Sequence, residues 1–227
     1  MPHLLILGAA SDIAQALAYR YAREGYSLIL AARRPERLEA LVSDLAIRHQ
    51  VAVEAVPFDA LDFDGHAAFY QNLSPKPDVA ICVFGYLGDQ ALAQTDFAEA
   101  RRIIDTNYTG AVSILNIIAN DFEARGAGTI IGVSSVAGDR GRASNYLYGG
   151  AKAGLTAYLS GLRNRLFKAG VGVITVRPGF VRTRMTEGLD LPAPLTAEPE
   201  QVADDVFKAH RRGKDNLYTL WMWRYVM

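Results

Sequence analysis

Tyr148 and Lys152 stand four residues apart in a stretch, Asn145 to Ala169, whose spacing predicts a helix. Four residues is about one turn, so the two side chains share a face. An ammonium beside a phenol favours the phenolate and lowers its pKa from about 10 toward neutrality. Such a tyrosine can protonate a carbonyl oxygen as hydride arrives, or deprotonate an alcohol in reverse. Taken alone, the pair is common. Here it has company. Ser134 and Ser135 close an apolar run, Asn107 lies in Asp105-Thr106-Asn107-Tyr108-Thr109-Gly110, and Arg177-Pro178-Gly179-Phe180-Val181-Arg182-Thr183 follows another run.

A second group could hold a ligand. The run Leu4 to Leu7 ends in Gly8-Ala9-Ala10-Ser11-Asp12-Ile13. Glycine permits a tight turn, and the helix predicted from Ile13 to Arg23 offers unpaired N–H groups and a positive dipole end to a diphosphate. Gly8, Ser11, Asp12 and Ile13 are therefore candidate cradle residues; a plain strand-to-helix turn is the alternative. Asp12 is a complication. It could cap the helix with Gln15 as its capping-box partner, and its carboxylate would compete with phosphate for the same amides. The run Ser27 to Ala31 leads into Ala32-Arg33-Arg34. A free ribose 2′-hydroxyl usually meets an Asp or Glu there. Two guanidiniums instead suit a 2′-phosphate, which favours NADP, with NAD as the alternative.

The elements that must position these residues follow from the apolar runs. Strands are expected at Leu4–Leu7, Ser27–Ala31, Val51–Val56, Val79–Val83, Thr129–Val133, Val171–Val176 and Leu217–Leu220. Helices are expected at Ile13–Arg23, Pro35–His49, Thr95–Arg125 in one or two pieces, Asn145–Ala169 and Pro199–His210. Several strands are continuously apolar, the pattern of parallel strands covered on both faces. Strand and helix alternate throughout. The expected fold is α/β: a three-layer, doubly wound Rossmann architecture with a parallel sheet of about seven strands, in one domain spanning residues 1–227.

Composition sets bounds. The 227 residues carry 24 basic and 24 acidic side chains, with 19 Arg against 5 Lys. A balanced charge argues against a general nucleic-acid binder. The single cysteine, Cys82, excludes an internal disulfide framework and is read as a small core residue; no metal site is expected. The four histidines are scattered and receive no role. No leader or membrane-spanning run is read, so a cytoplasmic protein is expected.

In this order, a glycine turn, Asn107, Ser135, the Tyr148/Lys152 pair and Pro178-Gly179 resemble the short-chain dehydrogenase/reductase family over nearly the whole chain. The spacing fits: 28 residues from Asn107 to Ser135 and 13 from Ser135 to Tyr148. It selects Ser135 over Ser134 and Tyr148 over Tyr146. The resemblance implies an NAD(P)-dependent oxidoreductase that moves hydride between nicotinamide and a carbonyl or secondary alcohol. It implies Tyr148 as general acid/base, Lys152 on the nicotinamide ribose, Ser135 on the substrate oxygen and Asn107 holding a relay water. Thr183 and the Val181 backbone would meet the carboxamide, with Pro178 and Gly179 beside them. Asp59 and Ala60 would meet the adenine. Two departures stand out. Asp12 and Ala14 replace two family glycines, and Cys82-Val83-Phe84-Gly85 replaces an Asn-Asn-Ala-Gly turn, leaving only Gly85. They motivate an alternative: a dinucleotide-binding sensor or scaffold that does no chemistry.

A narrower resemblance lies in Phe58 to Asp62, Phe84 to Asp89, Asn107 to Thr109, Arg177 to Met185 and Arg224 to Met227. These are similar to the reductase half of the decaprenylphosphoryl-ribose 2′-epimerase pair, which implies a lipid-linked keto-sugar. That relative continues into an apolar, basic stretch beyond the position of Met227, so the 227 residues read as one whole reductase domain. Arg140, Arg142 and Arg184, with Arg182, are candidates for an anionic substrate, against the reading of surface ion pairs. The loop of about 184–199, with Leu189, Leu191, Pro192, Pro194 and Leu195, is expected to be a substrate lid. The last eight residues hold both tryptophans. They read either as a peripheral membrane or partner contact, or as a last strand folding back on the core. Small residues from Gly149 to Gly154 suit close helix packing, so a homodimer or homotetramer is expected.

Overall fold

The computed structural model describes residues 1–188 and 190–227; the expected lid residue Leu189 lies outside them. Along the chain run β1 (His3–Leu7), α1 (Asp12–Ala22), β2 (Ser27–Ala32), α2 (Glu39–His49), β3 (Val53–Pro57), α3 (His66–Asn72), β4 (Val79–Cys82), α4 (Gln90–Ala93) and α5 (Phe97–Ile104). Then come α6 (Gly110–Arg125), β5 (Thr129–Val133), α7 (Tyr146–Leu166), β6 (Gly172–Pro178), β7 (Phe180–Val181), β8 (Thr196–Ala197), α8 (Pro199–Arg211), β9 (Asn216–Thr219) and α9 (Trp223–Val226). Seven strands form one sheet in the order β3-β2-β1-β4-β5-β6-β9, with every neighbouring pair parallel.

Side-chain alternation along the strands builds the three layers. Leu4, Ile6, Leu28 and Leu30 point to one face and pack with Leu17 and Tyr21 of α1 and Val202 and Val206 of α8. Leu5, Leu7 and Ile29 point to the other and pack with Ile114 and Ile118 of α6 and Leu155 and Leu159 of α7. Buried on both faces, these strands have no polar positions to alternate. The strand order reverses between β1 and β4. A crevice must open beyond the carboxyl ends of the strands at such a switch point.

Some boundaries differ from expectation. Pro35–Leu38 is a 3-10 turn preceding α2, and the expected helix from Thr95 is interrupted by a π turn at Asp105–Thr109 between α5 and α6. The short helices α3 and α4 carry no long apolar stripe and were not anticipated. The end of the chain is not simply a last strand. Leu220, at φ 63°, turns it out of β9 into α9. The segment after β7 returns to it: β7 pairs with β8, and Arg182 N–H donates to Ala197 O at 2.9 Å. Among the described residues no helix is long and apolar enough to cross a membrane, and no group of three or more His, Cys, Asp or Glu could hold a metal.

Candidate active site

The crevice at the switch point is a cleft of about 650 Å³, within the usual range for a small-molecule site. One wall is the end of β5 and the start of α7. Ser134 is buried, with its hydroxyl donating to Lys152 O at 2.9 Å and lying 2.7 Å from Thr156 Oγ1. It ties strand to helix and is used up in doing so. Ser135, the next residue, turns its hydroxyl toward Tyr148 and accepts from Ala137 N–H at 3.1 Å. Lys152 is buried; Nζ donates to Val133 O at 3.0 Å and sits 5.8 Å from the centre of the Tyr148 ring.

The electrostatics correct one expectation. Lost hydration pushes the Tyr148 phenol up to about 12, with the Ser135 hydroxyl working against that, whereas a depressed phenol was expected. Burial also pushes the Lys152 ammonium down to about 8. Desolvation shifts each group toward its neutral form, and at neutral pH the phenol keeps its proton and Lys152 remains an ammonium. A neutral phenol is a proton donor.

Asn107 stands apart from the cleft lining. It sits in the π turn, a feature frequent at functional sites, but its side chain faces backbone, not the cleft. Nδ2 donates to Tyr86 O at 2.6 Å and Ile103 O at 2.8 Å, while Oδ1 accepts from Tyr86 N–H at 3.2 Å. Both amide hydrogens are spent, so the amide acts as a bracket that fixes Gly85 and Tyr86 against α5. A relay water could meet Asn107 only through an oxygen acceptor, since both side-chain N–H groups are spent.

The opposite wall is the glycine turn. Gly8 has φ +94°, and a Cβ there would come 2.7 Å from the Phe84 backbone. Gly8 and Ala9 donate their N–H groups to Ala31 O at 2.9 and 3.0 Å. Ser11, not Asp12, caps α1, its Oγ accepting from Ala14 N–H at 3.3 Å. The Asp12 carboxylate turns away to Arg184, so the expected capping box with Gln15 does not form. Phe84, a large ring in a turn that lacks the polar residues of its resemblance, packs on Phe58, which stacks on His66. His66 is not idle either: it is buried between Ser113 Oγ and Asp59 O, both at 2.9 Å.

Gly8, Ser11, Asp12, Ile13, Arg33, Asp59, Ala60, Gly85, Pro178, Gly179, Val181 and Thr183 all line the cleft. Arg34 does not; it precedes the 3-10 turn and points elsewhere. Of the arginines expected near substrate, only Arg142 lines the cleft without an acidic partner, its Nη2 lying 2.8 Å from Met227 Sδ. Arg140 is exposed outside the cleft, Arg182 pairs with Glu198 at 2.9 Å, and Arg184 pairs with Asp12. Residues not anticipated include Arg102, whose guanidinium lies 4.4 Å over the Tyr86 ring, and Asn145. Only the docking of α5 and α7 brings these two to the cleft; neither type nor spacing marks them.

The chain end reaches the same region. Trp223 is buried against Gly179, where a Cβ would fall 1.8 Å from the indole nitrogen. It meets Phe180 edge-on and donates to Leu195 O at 3.2 Å. Trp221 and Tyr225 remain exposed, so the fold-back reading of this end holds for Trp223 and not for these two.

A family model described as short chain dehydrogenase matches residues 2–192. An uncharacterized oxidoreductase of Mycobacterium tuberculosis is 40% identical over 224 residues, covering 97% of this chain and 89% of that protein. A serine 3-dehydrogenase of Agrobacterium fabrum is 33% identical over 190 residues, covering 81% and 73%. Among solved structures, a short-chain dehydrogenase from Sphingobium yanoikuyae in complex with NADPH superposes with a TM-score of 0.89 at 27% identity, covering 100% of this chain and 92% of that one.

Proposed function

The chain belongs to the short-chain dehydrogenase family, and on that premise we propose that it is an NADPH-dependent carbonyl reductase with Tyr148 as proton donor. The observation that carries this is the convergence of Tyr148, Ser135 and Lys152 on one wall of a cleft whose other wall is the Gly8 turn. The residues fit a dinucleotide. A side chain at position 8 would collide with Phe84, so the turn keeps a bare backbone facing the cleft. Arg33 lines it and forms no ion pair among the described residues, leaving a guanidinium for a 2′-phosphate. NAD is the alternative cofactor. Arg34 then has no direct role.

Bound there, the nicotinamide would supply hydride. The protein's own part is positioning and proton transfer. Burial keeps Tyr148 protonated near neutral pH, so Oη can give its proton to a carbonyl oxygen. Ser135 stands beside it to hold the same oxygen. Lys152 is anchored on Val133 O and carries its ammonium to the floor between Gly85 and Tyr148.

For the substrate we propose a keto-sugar on a lipid carrier, supported by the segments Phe58 to Asp62 and Arg177 to Met185. Arg142 would meet its phosphate. The exposed Trp221, Tyr225 and Val226 support peripheral contact with a membrane by a cytoplasmic protein, and the exposed Gly150 and Ala157 of α7 support pairing into a homodimer or homotetramer. The test is NADPH oxidation against a panel of ketones and keto-sugars. Wild type should turn over and Tyr148→Phe should not, while both bind NADPH. Turnover surviving in the variant overturns the mechanism; binding without turnover of any substrate favours a sensor or scaffold.

A further inference from the structure

A carboxylate at the first residue of α1 stands beside the amides that would hold a diphosphate, and it should repel one. Here both of its oxygens are engaged by a single residue 172 positions away. Asp12 Oδ2 accepts from the Arg184 backbone N–H at 2.8 Å, and Oδ1 accepts from Arg184 Nε at 2.9 Å. The same guanidinium donates through Nη2 to Ala10 O at 2.5 Å. Three bonds thus join the glycine turn to the segment leaving β7, and Asp12, Ala10 and Arg184 all line the cleft.

Stability does not explain this arrangement. The two side chains are 28% and 66% exposed, and an ion pair so wet adds little to folding. Its effects are on charge and on position. One cation covers the two negative features of the turn, a carboxylate and a carbonyl oxygen. The backbone bond fixes Arg184 directly after Thr183, at the mouth of the cleft.

We propose that Asp12 and Arg184 form a clasp that makes this turn competent to hold the diphosphate of a dinucleotide. Arg184 is the positioning residue: it neutralises Asp12 and pins the segment after β7 across the cleft. This rests on the reading above that a dinucleotide occupies the cleft.

Charge compensation has a signature that mere packing lacks. Arg184→Ala bares the carboxylate beside the diphosphate, whereas removing Asp12 as well takes the repulsion away. NADPH affinity is measured by fluorescence titration at about 0.05 and 0.5 M salt for wild type, Arg184→Ala, Asp12→Ala and the double variant. At low salt Arg184→Ala should bind about tenfold more weakly or worse, and the defect should shrink at high salt, where screening reaches the exposed pair. Asp12→Ala and the double variant should stay within about threefold of wild type. A double variant as weak as Arg184→Ala overturns the compensation. Without dinucleotide, the Arg184 amide should exchange its hydrogen about tenfold faster in Asp12→Ala, since its acceptor is gone. An unchanged rate overturns the clasp. A wild-type chain that binds neither NADPH nor NADH overturns the function proposed above together with the diphosphate role, and the exchange rate then decides the clasp by itself.

Discussion

The two walls of the cleft are built differently. On the β5–α7 wall Ser134 and Lys152 are buried beneath the half-buried Ser135 and Tyr148, and their bonds run to the nearest strand and helix: Ser134 to Lys152 and Thr156, Lys152 to Val133. On the other wall the bonds span the chain. Asp12 meets Arg184, and Trp223 meets Leu195. That wall is also wetter, with Arg184 and Met185 exposed. Proton transfer needs atoms held within a fraction of an ångström, which packed elements supply. Ligand entry needs a wall that can give, which loops joined by a few long-range bonds supply.

The first way to break this contrast is at its rigid side. Tyr148→Phe should lower kcat by about 10²- to 10⁴-fold while NADPH affinity changes less than about threefold, checked by steady-state kinetics and titration. A comparable loss of affinity would mean that the rigid wall also does the binding. The second is at the bolt of the giving side. Trp223→Ala removes a buried indole and should cost about 3–5 kcal/mol in urea unfolding. Trp223→Phe keeps a ring against Phe180 but leaves Leu195 O without its donor, and should cost about 1 kcal/mol.

The same contrast explains what could be read in the sequence. The β5–α7 wall is local: one helical turn sets Tyr148 over Lys152, and a fixed run from Ser135 sets the rest. Both the fold class and this wall were legible because hydrophobic period and short spacing carry them. The other wall was not. Nothing in Asp12 or Arg184 as residue types announces that they meet, because only the segment leaving β7, reaching back across the carboxyl ends of the strands to the glycine turn, brings them together. The sequence therefore offered Arg184 to a substrate and Asp12 to the cradle or a cap; both line the cleft, but they pair with each other, and Ser11 is the cap. Electrostatics failed for a related reason. Proximity of Tyr148 and Lys152 is visible in spacing, but the dryness that reverses the phenol's shift comes from tertiary burial.

That dryness has a pH consequence. Burial holds Lys152 at about 8, below the 10.4 or so of an unfolded lysine. Between those values the unfolded chain binds the proton and the folded chain does not, so the contribution of this group to stability rises with pH from about 8 to 10.4. The gain should be on the order of 3 kcal/mol and should be absent in Lys152→Met, as measured by urea unfolding at pH 7.5 and 10. A wild-type gain that persists in Lys152→Met would place its source elsewhere and show the rigid wall to be wetter than it looks.

The smallest effect separates two neighbours on the giving side. Arg33 and Arg34 have the same side chain and both are exposed, but only Arg33 lines the cleft. β2 ends at Ala32, and the chain then turns into the 3-10 segment from Pro35, which carries Arg34 away from the crevice. A charge-assisted bond to a 2′-phosphate contributes about 1.5–3 kcal/mol, less whatever water takes over at an exposed site. Arg33→Ala should therefore weaken NADPH binding by about tenfold and leave NADH binding within about twofold. Arg34→Ala should leave both within about twofold. Titrations of the two variants with the two cofactors check this directly. An equal loss in both variants would mean that the pair acts as a diffuse positive field, and that this wall recognises the cofactor by charge density alone.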